Sequence, residues 1–399
     1  MSPIFKQILI LAFLPSSLLY LLFILPPRPH HAHLRLPPAA PLLHPSPPPP
    51  RIAYFVSGTV NDGPRIFRLL QAAYHPRNYY LLHLDLAAPG AQREELARMV
   101  DSVEVFVAAD NVKVVGKADA VNGEGSSPLA LVLHGAAVLL RWRDDWDWFV
   151  NLDASDYPLI PQDDFLHVMS FVPRSYNFMG YSINISSTDS ESIVDIIVDP
   201  RLYLFTKGKM FMGNKKRTMP DAFKIFMGSP NVILSRKFVE YAIQGWENLP
   251  RTLLLYFSNT RSPHKGYFQT LACNSKEFSS TIINSSMRCT GRDQTYEIDH
   301  SYSIVLDFNA IQGAAAFIEN VSGDAQLLDL IDSQILQRGR GSVTPGGWCV
   351  GWSDWGGDPC LQWGDPLVLR PGPAAERFEK LLLNQIRNTT ARSDRCGLV

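Results

Sequence analysis

Two aspartates that follow a short apolar segment form the first candidate site. Residues Trp148–Leu152 are too few for a helix and predict a buried strand, and Asp153 and Asp156 come just after it. Ligands of open α/β sheets bind at the carboxyl ends of the strands, so we expect these carboxylates to meet a ligand. Carboxylates suit a hard cation or sugar hydroxyls equally. Asp156 could instead cap a helix that begins near Asp163.

The spacing of these two aspartates argues against a metal site. Metal-dependent enzymes that use sugar nucleotides typically carry an alternating acid pair, whereas Asp153 and Asp156 are separated by two residues. From these residues alone we therefore assign no metal to the pair.

Small residues and a further acid stand at the ends of two earlier predicted strands. Ser57 and Gly58 follow Ile52–Val56, where they would let a nucleotide approach the backbone, and Asp85 follows Tyr79–Leu84. An acid in that place can hold ribose hydroxyls, as in dinucleotide folds. The glycine fingerprint of those folds is absent, so we predict recognition by strand ends. A plain turn with a capping acid is the alternative.

Two other clusters have both a functional and a structural explanation. The basic cluster could face a diphosphate or form a solvated surface, and the second explanation is favoured for most of its members. The tryptophan cluster, set among glycines, could stack on sugars or form the small core of a flap. The clusters are Lys207, Lys209, Lys215, Lys216 and Arg217, and Trp348, Trp352, Trp355 and Trp363.

Alternating strands and helices must position these residues. The alternation predicts a βαβ arrangement with a mainly parallel sheet, and the residues after Asp163 should pack on the same sheet. Predicted strands are Ile52–Val56, Tyr79–Leu84, Val103–Ala108, Trp148–Leu152 and Ile233–Leu234. Predicted helices are Pro64–Tyr74, Ala91–Val100, Leu129–Trp142, Arg236–Gly245, Arg251–Phe257, Ala325–Gln337 and Ala375–Arg387.

The amino-terminal residues predict a membrane anchor. Residues Ile8–Leu25 contain no charged side chain, which is near the lower limit of about 17 to 25 residues for a spanning helix. We expect residues 1–7 to be a cytosolic tail, 8–25 an uncleaved signal anchor, 26–50 a proline-rich stem and 51–399 a luminal domain. The net charge of -1 gives no bulk attraction to nucleic acid.

The N-glycan acceptor sites and the cysteines favour a luminal location for the domain. Asn184, Asn284, Asn320 and Asn388 each begin a legal N-glycan acceptor site. Cys349 and Cys360 bracket a loop with few aliphatic residues, and we predict a disulfide between them. Cys273, Cys289 and Cys396 leave an odd count, so at least one thiol stays reduced or pairs with another chain. We expect Cys273 to be a buried small residue.

Seven motifs, taken together, resemble the plant branch of glycosyltransferase family 14. That family includes β-glucuronosyltransferases of arabinogalactan proteins, peptide O-xylosyltransferases and core-2/I-branching enzymes. The likeness runs from about Arg51 to Arg387. The motifs are Tyr74–Asn78, His83–Asp85, Trp146–Leu152, Ala154–Leu159, Asn248–Leu254, Gly266–Phe268 and Thr344–Cys349.

The resemblance implies a fold, a cellular location and a reaction. It implies a GT-A-type Rossmann-like domain behind a single-pass type II anchor in the Golgi membrane. It further implies metal-independent, inverting transfer of a sugar, with glucuronate favoured, from a UDP-sugar to a glycan on a cell-wall or arabinogalactan-type glycoprotein. The residues expected to meet the donor are Val56, Ser57, Gly58, Asp85, Asn122, Gly123, Gly125, Asp153 and Asp156.

Several site positions depart from the family pattern. Lys265 stands where the family places the glutamate that acts as catalytic base. Glu319 and Asn320 replace an Arg-Lys pair expected to meet the diphosphate, Asn231 replaces a tryptophan, and Asp153 replaces a common serine.

These departures leave two hypotheses. In the first, the chain is an active glucuronosyltransferase-like enzyme whose base is Asp156, Glu277, Glu297 or a Lys265 kept neutral by burial. In the second, it is a catalytically silent member that binds glycans or assembles with active glycosyltransferases. A glycosyltransferase is the favoured interpretation, because the resemblance covers nearly the whole domain.

Overall fold

The computed structural model describes residues 47–182, 186–203, 209–290, 315–321, 325–351, 357–391 and 396. The expected tail, the anchor at 8–25 and most of the stem lie outside these residues. Within the described ranges, no helix is both long and apolar enough to cross a membrane.

The elements follow one another along the chain in a mixed α/β order. The strands are β1 (Ile52–Gly58), β2 (Tyr79–Leu84), β3 (Val112–Val114), β4 (Trp148–Asp153), β5 (Tyr157–Pro158), β6 (Asn177–Ser182), β7 (Asp195–Val198), β8 (Phe211–Lys216), β9 (Met227–Ser235), β10 (Ile282–Ile283), β11 (Arg288–Thr290) and β12 (Phe317–Glu319). The helices are α1 (Gly63–Ala72), α2 (Gly90–Asp101), α3 (Glu104–Ala109), α4 (Ser127–Trp142), α5 (Gln162–Ser170), α6 (Ser187–Val194), α7 (Arg236–Gln244), α8 (Asn248–Phe257), α9 (Tyr267–Asn274), α10 (Ala325–Leu330) and α11 (Pro373–Ala391).

A seven-stranded sheet lies at the centre of the molecule, in the order β10-β6-β9-β4-β1-β2-β3. The strands β3, β2, β1 and β4 run parallel to one another, and β9 runs antiparallel to both β4 and β6. The sheet is thus mixed and mostly parallel, which confirms the predicted α/β class. Strand β9 also confirms that the later residues pack on the same sheet.

Both faces of the sheet are covered, which explains the continuous apolar runs of its central strands. Along β1, Tyr54 and Val56 belong to one buried cluster, and Ala53 and Phe55 belong to the cluster on the other face. Parallel strands that are buried on both faces show such runs instead of alternation.

The prediction of a strand at Val103–Ala108 is wrong. These residues form most of helix α3, and the edge strand beside β2 is Val112–Val114. Three valines at every second position favour a strand by local propensity, but tertiary packing decides. The ring of Phe106 packs against that of Tyr74, with centroids 4.4 Å apart, while Val107 is exposed. The helix expected at Ala325–Gln337 also changes character, because α10 is followed by a π turn at Ile331–Ile335.

Two disulfides staple the later part of the domain. The predicted bond between Cys349 and Cys360 is present. The expectation that Cys273 is merely a buried small residue is wrong, since its sulfur is bonded to that of Cys396, 123 residues further along the chain. Connectivity over such a separation cannot be deduced from sequence alone. Cys289 takes part in neither bond, and its sulfur lies 3.8 Å from the carbonyl oxygen of Phe317.

The chain enters the domain at the amino ends of the parallel strands. Arg77 and Arg174 donate hydrogen bonds to the carbonyl oxygens of Pro49 and Pro48, at 2.7 and 2.8 Å. Asp147, just before β4, accepts the backbone N–H of Arg51. The last residues of the expected stem are therefore tied to the edge of the sheet opposite its carboxyl ends.

Candidate active site

The ends of three parallel strands meet at the carboxyl edge of the sheet. Ser57 is in register with Asp153 on one side and with His83 on the other. The N–H of Asp85 donates to the carbonyl of Gly58 at 2.9 Å. Sequence reasoning brought these strand ends together correctly, and we call the group formed by Ser57, Gly58, Asp85, Asp153 and the loop Asn122–Gly125 the carboxyl-end site.

Strand β1 can contribute mainly its backbone N–H and C=O groups to this site. Val56 is buried in the core, whereas Ser57 is half-buried at the edge. A Cβ on Gly58 would lie 2.8 Å from the Cβ of Asp62 and 3.0 Å from that of Ala154. The glycine is thus also required by close packing at this turn.

Asp85 organises the loop beside it. Its side chain is buried, and it accepts the backbone N–H groups of Ala87 at 2.6 Å and Val121 at 2.9 Å. Arg201 approaches the same carboxylate at 3.7 Å. Asp85 therefore stabilises a turn but does not cap the next helix, whose N-cap is Pro89, and the acid fixes the start of the segment that leads into Asn122–Gly125.

A second buried acid, Asp199, supports the same loop and was missed by sequence reasoning. Its carboxylate accepts the N–H and the hydroxyl of Ser127 at 2.9 and 2.7 Å. A side chain on Gly125 would collide with this carboxylate. Gly123 is exposed and Asn122 is half-buried, so the tip of the loop faces outward. Asp199 lies more than seventy residues from Ser127 in the chain, and no local pattern links the two.

Asp153 and Asp156 have different surroundings although both follow β4. Asp153 is exposed, and its Oδ1 accepts the N–H and hydroxyl of Ser155 at 2.9 and 2.8 Å. Asp156 is buried, and its Oδ2 accepts the N–H of Asp153 at 3.0 Å and a bond from Arg288 at 2.9 Å. Burial raises the pKa of Asp156 to about 7, against the lowering effect of Arg288.

Asp156 does not cap the helix near Asp163. That helix, α5, begins at Gln162 after Pro161. Asp163 instead accepts the N–H groups of Gly347 and Arg370 and thereby fixes a later loop.

Arg288 connects Asp156 with two of the departures from the family pattern. It is buried and donates to the carbonyl of Asn151 at 2.6 Å. Its Nε lies 4.0 Å from Oε1 of Glu319, and the same oxygen accepts a bond from the amide of Asn231 at 2.7 Å. Glu319 and Asn231, which are far apart in sequence, are thus in direct contact.

Lys265 lies in a short turn next to the loop Asn122–Gly125. The turn spans Pro263–Lys265 before α9, and the N–H of Ser262 donates to the carbonyl of Glu124 at 3.0 Å. Lys265 itself is exposed, so the burial that a neutral lysine base requires is missing. The neighbouring His264 is largely enclosed, and burial lowers its pKa to about 4. Sequence reasoning did not single it out.

Besides Asp156 and Lys265, no candidate for the catalytic base among the described residues lies at the carboxyl-end site. Glu277 is exposed and pairs with Lys237 at 2.5 Å, beside the start of α7 and therefore at the opposite edge of the sheet. Glu297 lies outside the described residues.

The basic cluster does not converge on the carboxyl-end site. Lys215 and Lys216 are exposed on β8, which pairs with β7 in a separate two-stranded sheet. The guanidinium of Arg217 lies 4.7 Å from the ring centre of Tyr256 and donates to the carbonyl of Asn259. Lys209 is exposed, and Lys207 lies outside the described residues.

Of the tryptophans, Trp348 is a core residue. It is buried, and its ring meets that of Tyr74 edge-on with centroids 5.9 Å apart. Trp363 is half-buried, and Trp352 and Trp355 lie outside the described residues.

The sequons differ in accessibility. Asn284 uses its amide on the backbone of Tyr181, accepting its N–H at 2.8 Å and donating to its carbonyl at 3.1 Å. Asn320 and Asn388 are exposed. Asn184 falls outside the described residues.

In the described parts of the chain, no cluster of three or more His, Cys, Asp or Glu side chains could hold a metal.

Comparison with known proteins gives a consistent family. A family model described as Core-2/I-branching enzyme matches residues 52–306. Beta-glucuronosyltransferase GlcAT14A of Arabidopsis thaliana is 42% identical over 351 residues, which cover 88% of this chain and 78% of that protein. Xylosyltransferase 1 of Rattus norvegicus is 27% identical over 66% of this chain and 30% of its own length.

A solved structure of mouse xyloside xylosyltransferase 1 in its apo form is also similar. It covers 68% of this chain and 98% of its own, at 13% identity and a TM-score of 0.34, too low to establish a common fold. The range matched by the family model includes Asp85, Asp153, Asp156 and Lys265. Glu319 lies beyond the last matched residue.

Proposed function

The chain belongs to the Core-2/I-branching enzyme family of glycosyltransferases, and from this premise we propose that it transfers a sugar from a UDP-sugar to a hydroxyl of a glycan, with inversion. The observation that carries the proposal is the meeting of three strand ends and one glycine-containing loop at the carboxyl edge of a mostly parallel sheet. That edge is where ligands of such sheets bind.

The donor would lie across the carboxyl-end site in a GT-A-type arrangement. Half-buried Ser57 and the backbone beside it would contact the nucleotide, and the outward tip at Asn122 and Gly123 would close over it. The exposed carboxylate of Asp153 is suited to hydroxyl groups of the ribose or of the sugar. We propose that this binding needs no metal.

Names of relatives guide the choice of sugar and acceptor. The Arabidopsis relative is named a beta-glucuronosyltransferase, so glucuronate is the first donor sugar to test. We propose an acceptor glycan on a cell-wall or arabinogalactan-type glycoprotein, and a type II anchor at 8–25 that holds the chain in the Golgi membrane.

A direct assay of transfer tests this function. The full-length chain would be purified in detergent and incubated with UDP-glucuronate and an arabinogalactan acceptor, with a chelator present throughout. The proposal predicts that radiolabelled glucuronate is incorporated into the acceptor. A Ser57→Trp variant, which fills the edge of the site, should lose incorporation. Absence of incorporation with a panel of UDP-sugars would contradict the proposal.

The charge of the site favours a second candidate function, a silent glycan-binding or partner subunit. Glu319 stands where the family places cations for the diphosphate, and Arg288 is already paired with Asp156. A silent member would bind acceptor glycan in the same assay without turning over any donor.

A further inference from the structure

We propose that Lys265 binds a carboxylate of the acceptor, so that the acceptor is a uronate-bearing glycan. The assignment rests on the proposed function and names the class of acceptor for the same site. Three features carry it: the face of the sheet on which Lys265 lies, the contacts that fix its turn, and the charges around it.

Lys265 and Glu319 approach the carboxyl edge from opposite faces of the sheet. Helix α9, which follows Lys265, packs Tyr267 into the apolar cluster on one face. Strand β12, which carries Glu319, packs Phe317 into the cluster on the other face. In an inverting transfer the acceptor oxygen attacks the anomeric carbon on the side opposite the leaving group. Because the diphosphate is assigned to the position of Glu319, the turn of Lys265 lies on the side from which the acceptor enters.

Backbone contacts fix the turn that carries Lys265. The N–H groups of Lys265 and Gly266 donate to the carbonyls of Ser262 and Pro263, at 3.1 and 3.0 Å. A Cβ on Gly266 would lie 2.5 Å from Sδ of Met227, the first residue of β9, so the turn is packed closely against that strand. The backbone at position 265 therefore has a fixed place on the rim of the carboxyl-end site.

Two other cations near the site already have acid partners. Arg261 pairs with Glu124 of the adjoining loop at 2.5 Å, and Arg201 approaches Asp85 at 3.7 Å. The side chain of Lys265 is exposed, and its ammonium makes no ion pair within the described ranges. An ammonium without an acid partner can bind an anionic ligand by charge-assisted hydrogen bonds.

The departure from the family pattern at position 265 reverses the charge that an acceptor meets. A glutamate there would repel a carboxylate of the acceptor, whereas the ammonium of Lys265 attracts it and offers three N–H donors. The leaving diphosphate lies on the other face, so this positive charge acts on the molecule that enters. Uronate residues are the sugars that carry a carboxylate.

The test measures how the full-length protein discriminates between two acceptors of equal size. One is an arabinogalactan-type oligosaccharide that carries uronate residues, and the other is the same oligosaccharide after reduction of its carboxyl groups to hydroxymethyl groups. Calorimetry with UDP present measures binding, and incorporation of labelled sugar measures transfer. Native protein should bind the uronate-bearing glycan about tenfold more tightly. The preference should shrink as salt is added, because Lys265 is exposed and its charge is screened.

Variants at position 265 assign the preference to this side chain. Lys265→Met should bring the ratio of the two affinities close to one, and Lys265→Arg, which keeps the charge, should retain most of it. Lys276→Met is the matched control. Lys276 is likewise exposed and makes no ion pair among the described residues, but it follows the other end of α9, about 12 Å away along the helix. Its variant should keep the native ratio.

Binding and transfer distinguish the acceptor assignment from the proposed function. If native protein binds both glycans equally, or if Lys265→Met keeps the native ratio, the assignment is wrong, and incorporation of sugar into either glycan leaves the function standing. If native protein prefers the uronate-bearing glycan through Lys265 but transfers sugar from no donor, the carboxylate contact is supported and the transferase is wrong.

Discussion

At the residue scale, Arg288 determines the character of the candidate site. It lies between the carboxylates of Asp156 and Glu319 and is itself buried. Its positive charge is therefore neutralised within the protein and does not face an incoming diphosphate. Removing one partner of such a buried pair leaves an uncompensated charge, which is strongly destabilising. The pair of Arg288 with Asp156 therefore supports the site from within the protein, while Asp153 is the exposed acid at the end of β4.

Two buried histidines predict how stability depends on pH. His75 and His83 each accept a backbone N–H, from Arg77 at 3.1 Å and from Asp119 at 2.9 Å. Burial lowers the pKa of His75 to about 3 and that of His83 to about 4, from an ordinary 6.5. The unfolded chain therefore binds more protons below pH 6.5, and the free energy of unfolding should fall as the pH falls from 6.5 towards 4. The slope is up to about 1.4 kcal/mol per pH unit for each histidine.

Urea unfolding across that pH range, monitored by tryptophan fluorescence, measures the effect. A His75→Asn variant keeps an acceptor for the Arg77 amide but cannot take up a proton, so its stability should fall less steeply with acid. Native and variant curves that run parallel would show that His75 does not titrate on unfolding.

At the element scale, the contact between β6 and β9 depends on a close approach of two backbones. A Cβ on Gly228 would lie 2.7 Å from the carbonyl carbon of Gly180 and 2.8 Å from Cα of Tyr181. The pairing of these strands is interrupted between Met179 and Tyr181, next to this approach. Strand β9 in turn carries Asn231 to Glu319, so the close packing bears on the site.

Gly228→Ala should therefore destabilise the protein and disturb the site. Overpacking of this kind costs about 1–3 kcal/mol, because backbone cannot move aside as a flexible side chain can. Gly116→Ala is the control, since nothing lies within 4 Å of the added carbon. Thermal unfolding of the two variants measures the difference, and equal midpoints would contradict the packing described for β6 and β9.

Local patterns predicted the elements better than they predicted the site. The strand ends at Gly58, Asp85 and Asp153 were predicted, because apolar runs mark parallel strands and their carboxyl ends must coincide. The partners Asp199, Arg288 and Glu319 were not brought together by any pattern, since each reaches the site across more than seventy residues. The helix at Glu104–Ala109 was missed for a similar reason, as packing on Tyr74 overrides local preference.

At the scale of the whole molecule, the candidate site and the chain entry lie at opposite edges of the sheet. Pro48 and Pro49 are bound at the amino edge, and the acids gather at the carboxyl edge. Ligands that bind at the carboxyl edge are thus kept apart from the segment by which the chain enters the domain.

The disulfide between Cys273 and Cys396 should contribute more to stability than the local one. It closes a loop of 123 residues, against 11 for Cys349 and Cys360, and the entropy removed from the unfolded chain grows with loop length. Cys396→Ser should cost about 2–5 kcal/mol, and Cys360→Ser should cost less. Urea unfolding under non-reducing conditions compares them, and a larger loss in Cys360→Ser would contradict this order.

The measurement that tests the account most directly is UDP release by the native chain beside a Lys265→Glu variant. Both proteins would be given UDP-glucuronate and an arabinogalactan acceptor, with a chelator present. If the chain is an active transferase whose base lies elsewhere than position 265, native protein releases UDP in an acceptor-dependent manner and the variant gains nothing. A silent native chain with activity gained in Lys265→Glu would contradict the account, because it would mean that one substitution at position 265 had disabled an otherwise intact site.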